Sequence, residues 1–426
     1  MAFTISINGA AAVDIQSLRG RVASRRQINQ GAGSCRLEFV RRLGETPPVA
    51  FDDLVRIWMD GAGYFYGQAT APAFRNDGGS GLYSVEIRDP WGRLDELNFC
   101  RGYGPDDGSP TGDFDVGFVV PYVSEVVTST TIGGYLSTRT ILGRSGLLSW
   151  TDFLTFDEQM TEIMTYGSSR LTKSGGATFG LPSGWLGFSG PAVVLPEEIA
   201  NLKTSEVATK LLRWAPDAAT WFDYAGLTEA GHPSFYLGKM STATPRVIPI
   251  GGRGGARVQE IRVRDDMRVA GVVLRFENTD GSSTPYRIYN WWTPLMQQYP
   301  AGTQANNPRV FAQALNLPTD YLVPANLAEL LYNALSARVV EGTLTLVGRD
   351  LDLSLRPGLA VELSGDDAAW PAGARLYVQE VTDDPANGTQ TLRCGYPGHL
   401  GVTDLRTLSQ SIQLSLYLGR RPAAPI

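Results

Sequence analysis

Residues able to carry out chemistry are few and scattered. Carboxylates stand side by side at Asp52-Asp53, Asp265-Asp266, Asp366-Asp367 and Asp383-Asp384. A glycosidase needs two carboxyl groups about 5–10 Å apart across a cleft. Neighbours on a strand face opposite sides and neighbours in a turn are solvated, so each pair reads as a turn. His232 and His399 are distant in sequence, and nothing local completes a nucleophilic triad around either. His399, in Tyr396-Pro397-Gly398-His399, reads as a local hydrogen-bonding residue of a turn. Cys35, Cys100 and Cys394 show no C-x-x-C spacing, and three cysteines cannot build a four-cysteine zinc or iron–sulfur site. Gly251-Gly252-Arg253-Gly254-Gly255 lacks the Lys-Ser/Thr and the following helix of a phosphate loop. It reads as a mobile linker, or as a loop ordered against a partner subunit. Tyr286, Tyr289, Trp291 and Trp292 form an aromatic cluster suited to a core, a subunit interface or a sugar contact. These four are the candidate interface residues. No catalytic, cofactor-binding or metal-binding residue is assigned, no cofactor is expected, and the chain reads as a non-enzyme.

The elements that must hold these residues come from a chain of 426 residues, enough for two to four domains. Hydrophobic residues make up 43% and charged residues 19%, so a sizeable core can form. Glycine (48) and proline (26) favour short elements and many turns. No run approaches the ~20 apolar residues of a membrane helix, and no secretory signal is expected at the start. An odd thiol count fits a reducing compartment. The net charge of −6 is opposite in sign to that of a dedicated nucleic-acid binder. Lysine occurs only at positions 173, 203, 210 and 239; the arginine excess fits either a GC-rich genome or subunit contacts.

Both ends of the chain alternate as strands do. Phe3, Ile5 and Ile7 point one way, Arg36 to Val40 alternates, and Val55, Ile57 and Met59 follow. Asp60-Gly61 is a hairpin signal, with Tyr64 to Thr70 returning from it. A second glycine turn at 76–81 leads to Tyr83, Val85 and Ile87. Near the other end, Leu344-Leu346, Leu359-Leu363, Ala374-Val381 and Thr389-Cys394 repeat this order around Asn387-Gly388. The spacing from Val55 to Pro90 nearly equals that from Val361 to Pro397. Either a small β-barrel or sandwich is duplicated, or any β-meander would give such spacing. Helices are predicted at 157–166, from Ser205 to Trp214 with Thr204 or Ser205 as the cap, and from Pro324 to Leu335. Strands are predicted at Thr220-Tyr224, Ser234-Leu237 and Val258-Phe276. Arg356, Glu362 and Asp350 are expected to face outward, and Arg420 onward to be a flexible tail.

Three stretches resemble phage tail hub proteins, the central hubs of tail tips and baseplates. They are Phe51-Asp52-Asp53-Leu54-Val55-Arg56-Ile57-Trp58 with Tyr64-Phe65-Tyr66-Gly67 and Asp89-Pro90-Trp91-Gly92-Arg93-Leu94; Trp221-Phe222-Asp223-Tyr224 after an amphipathic helix; and Gly342-Thr343-Leu344-Thr345-Leu346 with Gly395-Tyr396-Pro397-Gly398-His399-Leu400-Gly401 and Asp404. The resemblance covers the ends well and 101–200 poorly.

It implies a mainly β, multi-domain fold with minor α: two tube-like β-barrels with α+β insertions. The first barrel is expected at 1–100, an irregular β-rich insertion at 101–200, an α+β middle at 201–257, and the second barrel with its helix and tail at 258–426. It implies a homotrimer whose six barrels dock on a hexameric tail tube or distal tail protein. Partners are then the tape-measure protein and tip or fibre proteins, with DNA only in transit and no membrane anchor. The location implied is the virion tail tip, assembled in the host cytoplasm. The acidic balance suggests carboxylates facing the channel, where they would repel the duplex. The trimer interface is expected to exceed ~2,000 Å² in total, with Trp291 and 101–200 contributing. Two other functions remain open: a receptor- or carbohydrate-binding tip protein, supported by the aromatic cluster, and a tail-associated wall hydrolase.

Overall fold

The computed structural model describes residues 2–42, 44–76, 80–99, 125–132, 135–139, 156–170, 178–181, 202–212, 215, 217–240, 244–250, 256–263, 268–278, 296–317, 326–336, 340–348, 351–352, 354–364 and 375–395. The first unit holds β1 (Phe3–Ile7), β2 (Val13–Asp14), β3 (Gly20–Ile28), β4 (Ser34–Arg42), β5 (Leu54–Met59), β6 (Ala62–Ala69), β7 (Ala73–Asn76), β8 (Ser80–Arg88) and α1 (Pro90–Leu94). The middle holds β9 (Glu125–Ile132), β10 (Tyr135–Arg139), α2 (Phe156–Arg170), α3 (Thr204–Leu212), β11 (Ala218–Asp223) and β12 (Ser234–Lys239). Then come β13 (Arg246–Pro249), β14 (Arg257–Val263), β15 (Gly271–Asn278), β16 (Met296–Tyr299), β17 (Val310–Leu317), α4 (Leu327–Ser336), β18 (Val340–Val347), β19 (Ala360–Ser364), β20 (Leu376–Asp384) and β21 (Thr389–Cys394). The chain is mainly β with minor α and has several domains.

Turn chemistry shapes the first unit. Asp60 and Gly61 both take positive φ, 49° and 84°, the conformation of a tight hairpin turn, and β5 returns as β6. Val22, Leu37, Phe39, Val55, Ile57, Phe65, Val85 and Ile87 are buried on one side of these strands. α1 starts at Pro90, whose missing N–H costs nothing at a first helical position.

Six strands of each unit lie in the same spatial order. In the first it is β3-β4-β8-β6-β5-β1; in the second, β14-β18-β21-β20-β19-β13. Each member takes the same rank along the chain. A β-bulge follows Val22 in β3, and another follows Val258 at the same place in β14. One departure is that β1 runs antiparallel to β5 while β13 runs parallel to β19.

The two expected barrels are not closed. The strands of both units join in one open fourteen-stranded sheet. The reason lies in β20. One edge pairs with β21; the other pairs with β19 at Leu376 and Tyr377, then with β3 from Glu380 to Asp383. The sheet therefore continues from one unit into the next instead of curling back.

Smaller elements cover the sheet. Phe156, Met160, Ile163 and Met164 form the buried stripe of α2, which packs on α3. At the start of α3 the Thr204 hydroxyl does not cap the helix; it donates to the Leu97 carbonyl. Glu206 accepts from the Lys203 amide at 2.7 Å instead. The Val258-Phe276 stretch is two strands, because β14 belongs to the large sheet and β15 to a separate one with β16 and β17. α4 packs on β15 and β16.

Candidate functional site: a sheet junction, a polar face and two open edges

The two units meet where β3 pairs antiparallel with β20: Glu380 opposite Ile28, Val381 opposite Gln27, Thr382 opposite Arg26 and Asp383 opposite Arg25. Alternation sends Arg25 and Asp383 into the core, where their side chains are 4% and 6% exposed. The guanidinium lies 2.6 Å from Asp383 Oδ2, donates to the Tyr64 carbonyl at 2.9 Å, and sits 4.2 Å over the Tyr64 ring. Gln390 Nε2 donates to Asp383 Oδ1 at 2.8 Å, and the Tyr64 hydroxyl to Oδ2 at 3.3 Å. Burial works against the Arg25 charge, but Asp383 and the surrounding groups outweigh it, and its pKa stands above the usual arginine value. The same burial pushes the Tyr64 hydroxyl well up.

A second polar relay crosses the junction. The bulge at Gln379 turns its side chain inward, where it meets Asn29 Nδ2 at 3.2 Å and donates to the Gly395 carbonyl at 2.9 Å. Asn29 Oδ1 accepts from the Thr220 amide at 2.8 Å. The β11–β12 hairpin is thereby tied to both units. Trp221 of that hairpin stacks on Tyr236 and lies 3.7 Å under the Arg356 guanidinium. Arg356 is therefore half-buried, not outward, and burial lowers its pKa. Glu362 does face outward.

On the opposite side of the junction the sheet presents a polar face. Arg21 and Arg36 both reach Glu38, at 2.7 and 3.2 Å; Arg26 and Arg393 both reach Glu380, at 2.7 and 3.8 Å. The arginines are about half exposed or more, so each pair is worth roughly 0–1 kcal/mol. Strand pairing places Arg21, Arg26, Arg36, Arg42, Arg75, Arg88, Arg257, Arg262 and Arg393 on this face, against Glu38, Glu86, Glu260, Glu341, Glu380 and Asp384. Arginines outnumber carboxylates, so the expected carboxylate wall is not what this face provides. The net −6 of the chain is distributed elsewhere, and net charge does not say which face carries it.

The sequence-predicted carboxylate pairs separate. Asp52 sits in a turn at φ 70°, and Asp53 accepts from Asn8 Nδ2 and from the Ala50 amide. Asp383-Asp384 is not a turn pair: both lie on β20, one inside and one outside, because strand neighbours face opposite ways. Asp384 accepts from the amide and side chain of Asn387. Asp265-Asp266, Asp366-Asp367, Asp350, His399, the Gly251–Gly255 run, the tail from Arg420 and the candidate interface Tyr286, Tyr289, Trp291 and Trp292 lie outside the described residues. Among the described residues no three His, Cys, Asp or Glu side chains gather as a metal site. Sequence reasoning missed Arg25; its only local signal was a charge within the alternating run Val22–Gln27.

Asp89 is the other buried carboxylate. It caps α1, accepting from the Gly92 amide at 3.2 Å, and its Oδ2 accepts from the Gly33 amide at 2.8 Å. Burial pushes its carboxyl up to about 8, although both amides pull the other way. A raised carboxyl pKa favours the folded state at low pH, and that contribution is lost as pH rises from about 4 to about 8. Asp89→Asn stays neutral and can still accept from Gly92. Its thermal midpoint relative to wild type should improve between pH 5 and pH 9; an unchanged gap would refute the assignment.

No protein-family model matches the chain, and no curated protein matches it. Solved structures do. The 43 kDa tail protein of prophage MuSo2 from Shewanella oneidensis superposes with a TM-score of 0.50 at 10% identity, covering 94% of this chain and 100% of that one. Prophage tail protein gp18 from Listeria monocytogenes EGD-e gives 0.50 at 8% identity, covering 98% and 100%. At such identities the likeness is one of fold, and it extends over nearly the whole chain.

Proposed function

We propose that this chain, which folds as prophage tail proteins fold, is a structural protein of a phage tail. In this reading it is a trimeric tail-tip hub that closes the tail tube and joins it to the distal tip and fibres. The observation that carries the reading is the repeated strand order, joined by the β3–β20 pairing. Two like units per chain let three chains offer six like positions, which is what a hexameric tube end requires of a threefold tip. A closed ring also leaves no sheet edge exposed. The units at the two ends of the chain would then be the tube-like domains, the second taking in β13 from Arg246, with 101–200 and the stretch from 201 up to β13 as insertions.

The polar face would line the channel through which the genome passes. Four of its nine arginines, Arg21, Arg26, Arg36 and Arg393, are held by Glu38 and Glu380, so around the junction the wall would meet DNA with charges already paired rather than with bare cations. Tube or distal tail protein, tape-measure protein and tip or fibre proteins would be its partners, and the virion its location. Light scattering with negative-stain images tests this. A mass of three chains and a threefold ring are expected. A monomer that binds glycan would favour a carbohydrate-binding tip protein instead, and clearing of peptidoglycan by the purified chain would favour a wall hydrolase.

A further inference from the structure

Among the described residues, no strand pairs with the outer edge of β14 from Arg257 to Val263 or with the outer edge of β7; a parallel bridge joins Ala256, just before β14, to Ile250. These two edges are related to the internal junction by the repeat. β14 takes the place of β3, since both pair with the third strand of their unit and carry the bulge at the same point. β7 takes the place of the end of β20, since both form the hairpin partner of the sixth strand: Ala73 opposite Ser84 and Phe74 opposite Tyr83 match Thr382 opposite Thr391 and Asp383 opposite Gln390. Carried through these pairings, Arg25 corresponds to Ile261 and Asp383 to Phe74.

We propose that β7 of one copy pairs antiparallel with β14 of the next, in the register that sets Phe74 opposite Ile261 and Arg75 opposite Glu260. The partner is a second copy of this chain, and the proposal rests on the ring reading above by naming the edge and register that would close it.

Complementarity supports this occupant on both sides of the sheet. On the core side the buried ion pair of the internal junction is replaced at both positions by an apolar residue. Phe74 is 46% exposed, lying across Gly81, as an aromatic ring would at the rim of a core that another strand completes. Ile261 is partly buried against the second unit's core. On the polar side Arg75 and Glu260, both exposed, carry opposite charges at directly opposed positions. A slip of one residue would set Phe74 against a charged neighbour on the wrong face. The replacement also separates the two junctions. An aromatic–aliphatic contact does not pair well with half of an Arg–Asp pair, so the edges discriminate against joining in the wrong order.

Paired exchange tests the register. Phe74→Asp alone and Ile261→Arg alone should each shift the light-scattering mass to a single chain, with circular dichroism unchanged. The double variant rebuilds at the outer junction the pair used inside and should recover the wild-type mass. In parallel, Phe74→Cys with Ile261→Cys in a Cys100→Ser background is oxidised with copper phenanthroline. Opposed residues of antiparallel strands are about 4.5–5.5 Å apart at Cα, within disulfide range. Cys35 and Cys394 are buried, and burial pushes the Cys394 thiol up to about 12, so neither competes. A ladder reaching three chains is expected. Phe74→Cys with Arg257→Cys, four residues or about 13 Å along the strand, should give none. A wild-type ring without the Phe74–Ile261 cross-link overturns this register and leaves the hub reading standing. The cross-link without a threefold ring does the reverse. A wild-type chain that neither associates nor cross-links overturns both.

Discussion

Asp383→Ala should lower the unfolding free energy by about 3–5 kcal/mol, and Arg25→Ala by a similar amount. Each leaves the partner charge in a site that is 4–6% exposed at the side chain. Removing Asp383 also takes the acceptor of the Tyr64 hydroxyl and one of the two acceptors of Gln390 Nε2, which keeps the Asp352 carbonyl. The pair as a whole is a different matter. Taking both charges out of water costs about as much as their attraction returns, so a well-packed apolar pair can be as stable. Arg25→Met with Asp383→Leu should therefore fall within about 1.5 kcal/mol of wild type. Denaturant unfolding of the two single variants and the double variant measures this. Single losses under about 1 kcal/mol, or a double variant as weak as the singles, would mean that the pair does not hold the junction.

Phe235→Ala should cost about 3–5 kcal/mol, the usual loss for an aromatic ring removed from a close-packed interior. Phe235 is wholly buried on β12, with Phe222 5.5 Å, Phe179 6.2 Å and Trp91 6.4 Å away between ring centroids. These rings come from β11, from the 178–181 segment and from α1, so one side chain holds the hairpin and the 178–181 segment against the first unit. The hairpin also carries Thr220, which closes the polar relay at the junction. The loss should thus appear as early proteolysis or hydrogen exchange across 218–239 as well as a lower midpoint. A uniform shift without local opening would place the hairpin's anchorage in the polar relay instead. Phe222→Ala combined with Phe235→Ala should cost less than the sum, because the rings share one cluster.

Much of the local architecture was legible in the residues. Strands followed from alternation at Phe3–Ile7 and Val55–Met59, and the hairpin at Asp60-Gly61 from residues that tolerate positive φ. α3 and α4 followed from their apolar stripes, within two or three residues at their ends. The candidate site was far less legible. The aromatic cluster at 286–292 draws the eye by composition, whereas the junction uses an arginine and an aspartate that look like ordinary strand residues.

The division has a physical basis. Turn chemistry, periodicity and capping are governed by neighbours a few residues apart, so sequence determined where strands and helices begin and that two runs of similar pattern occur. Which strand lies beside which depends on contacts between distant segments, each with a loop-closure cost that no local pattern records. Tertiary structure alone decided that β20 bridges two units instead of closing one, that Asp383 points inward while Asp384 points out, that Thr204 bonds to Leu97 rather than capping, and that arginines gather on one face of an acidic protein. Burial and pairing, not residue type, turned those ordinary side chains into a junction.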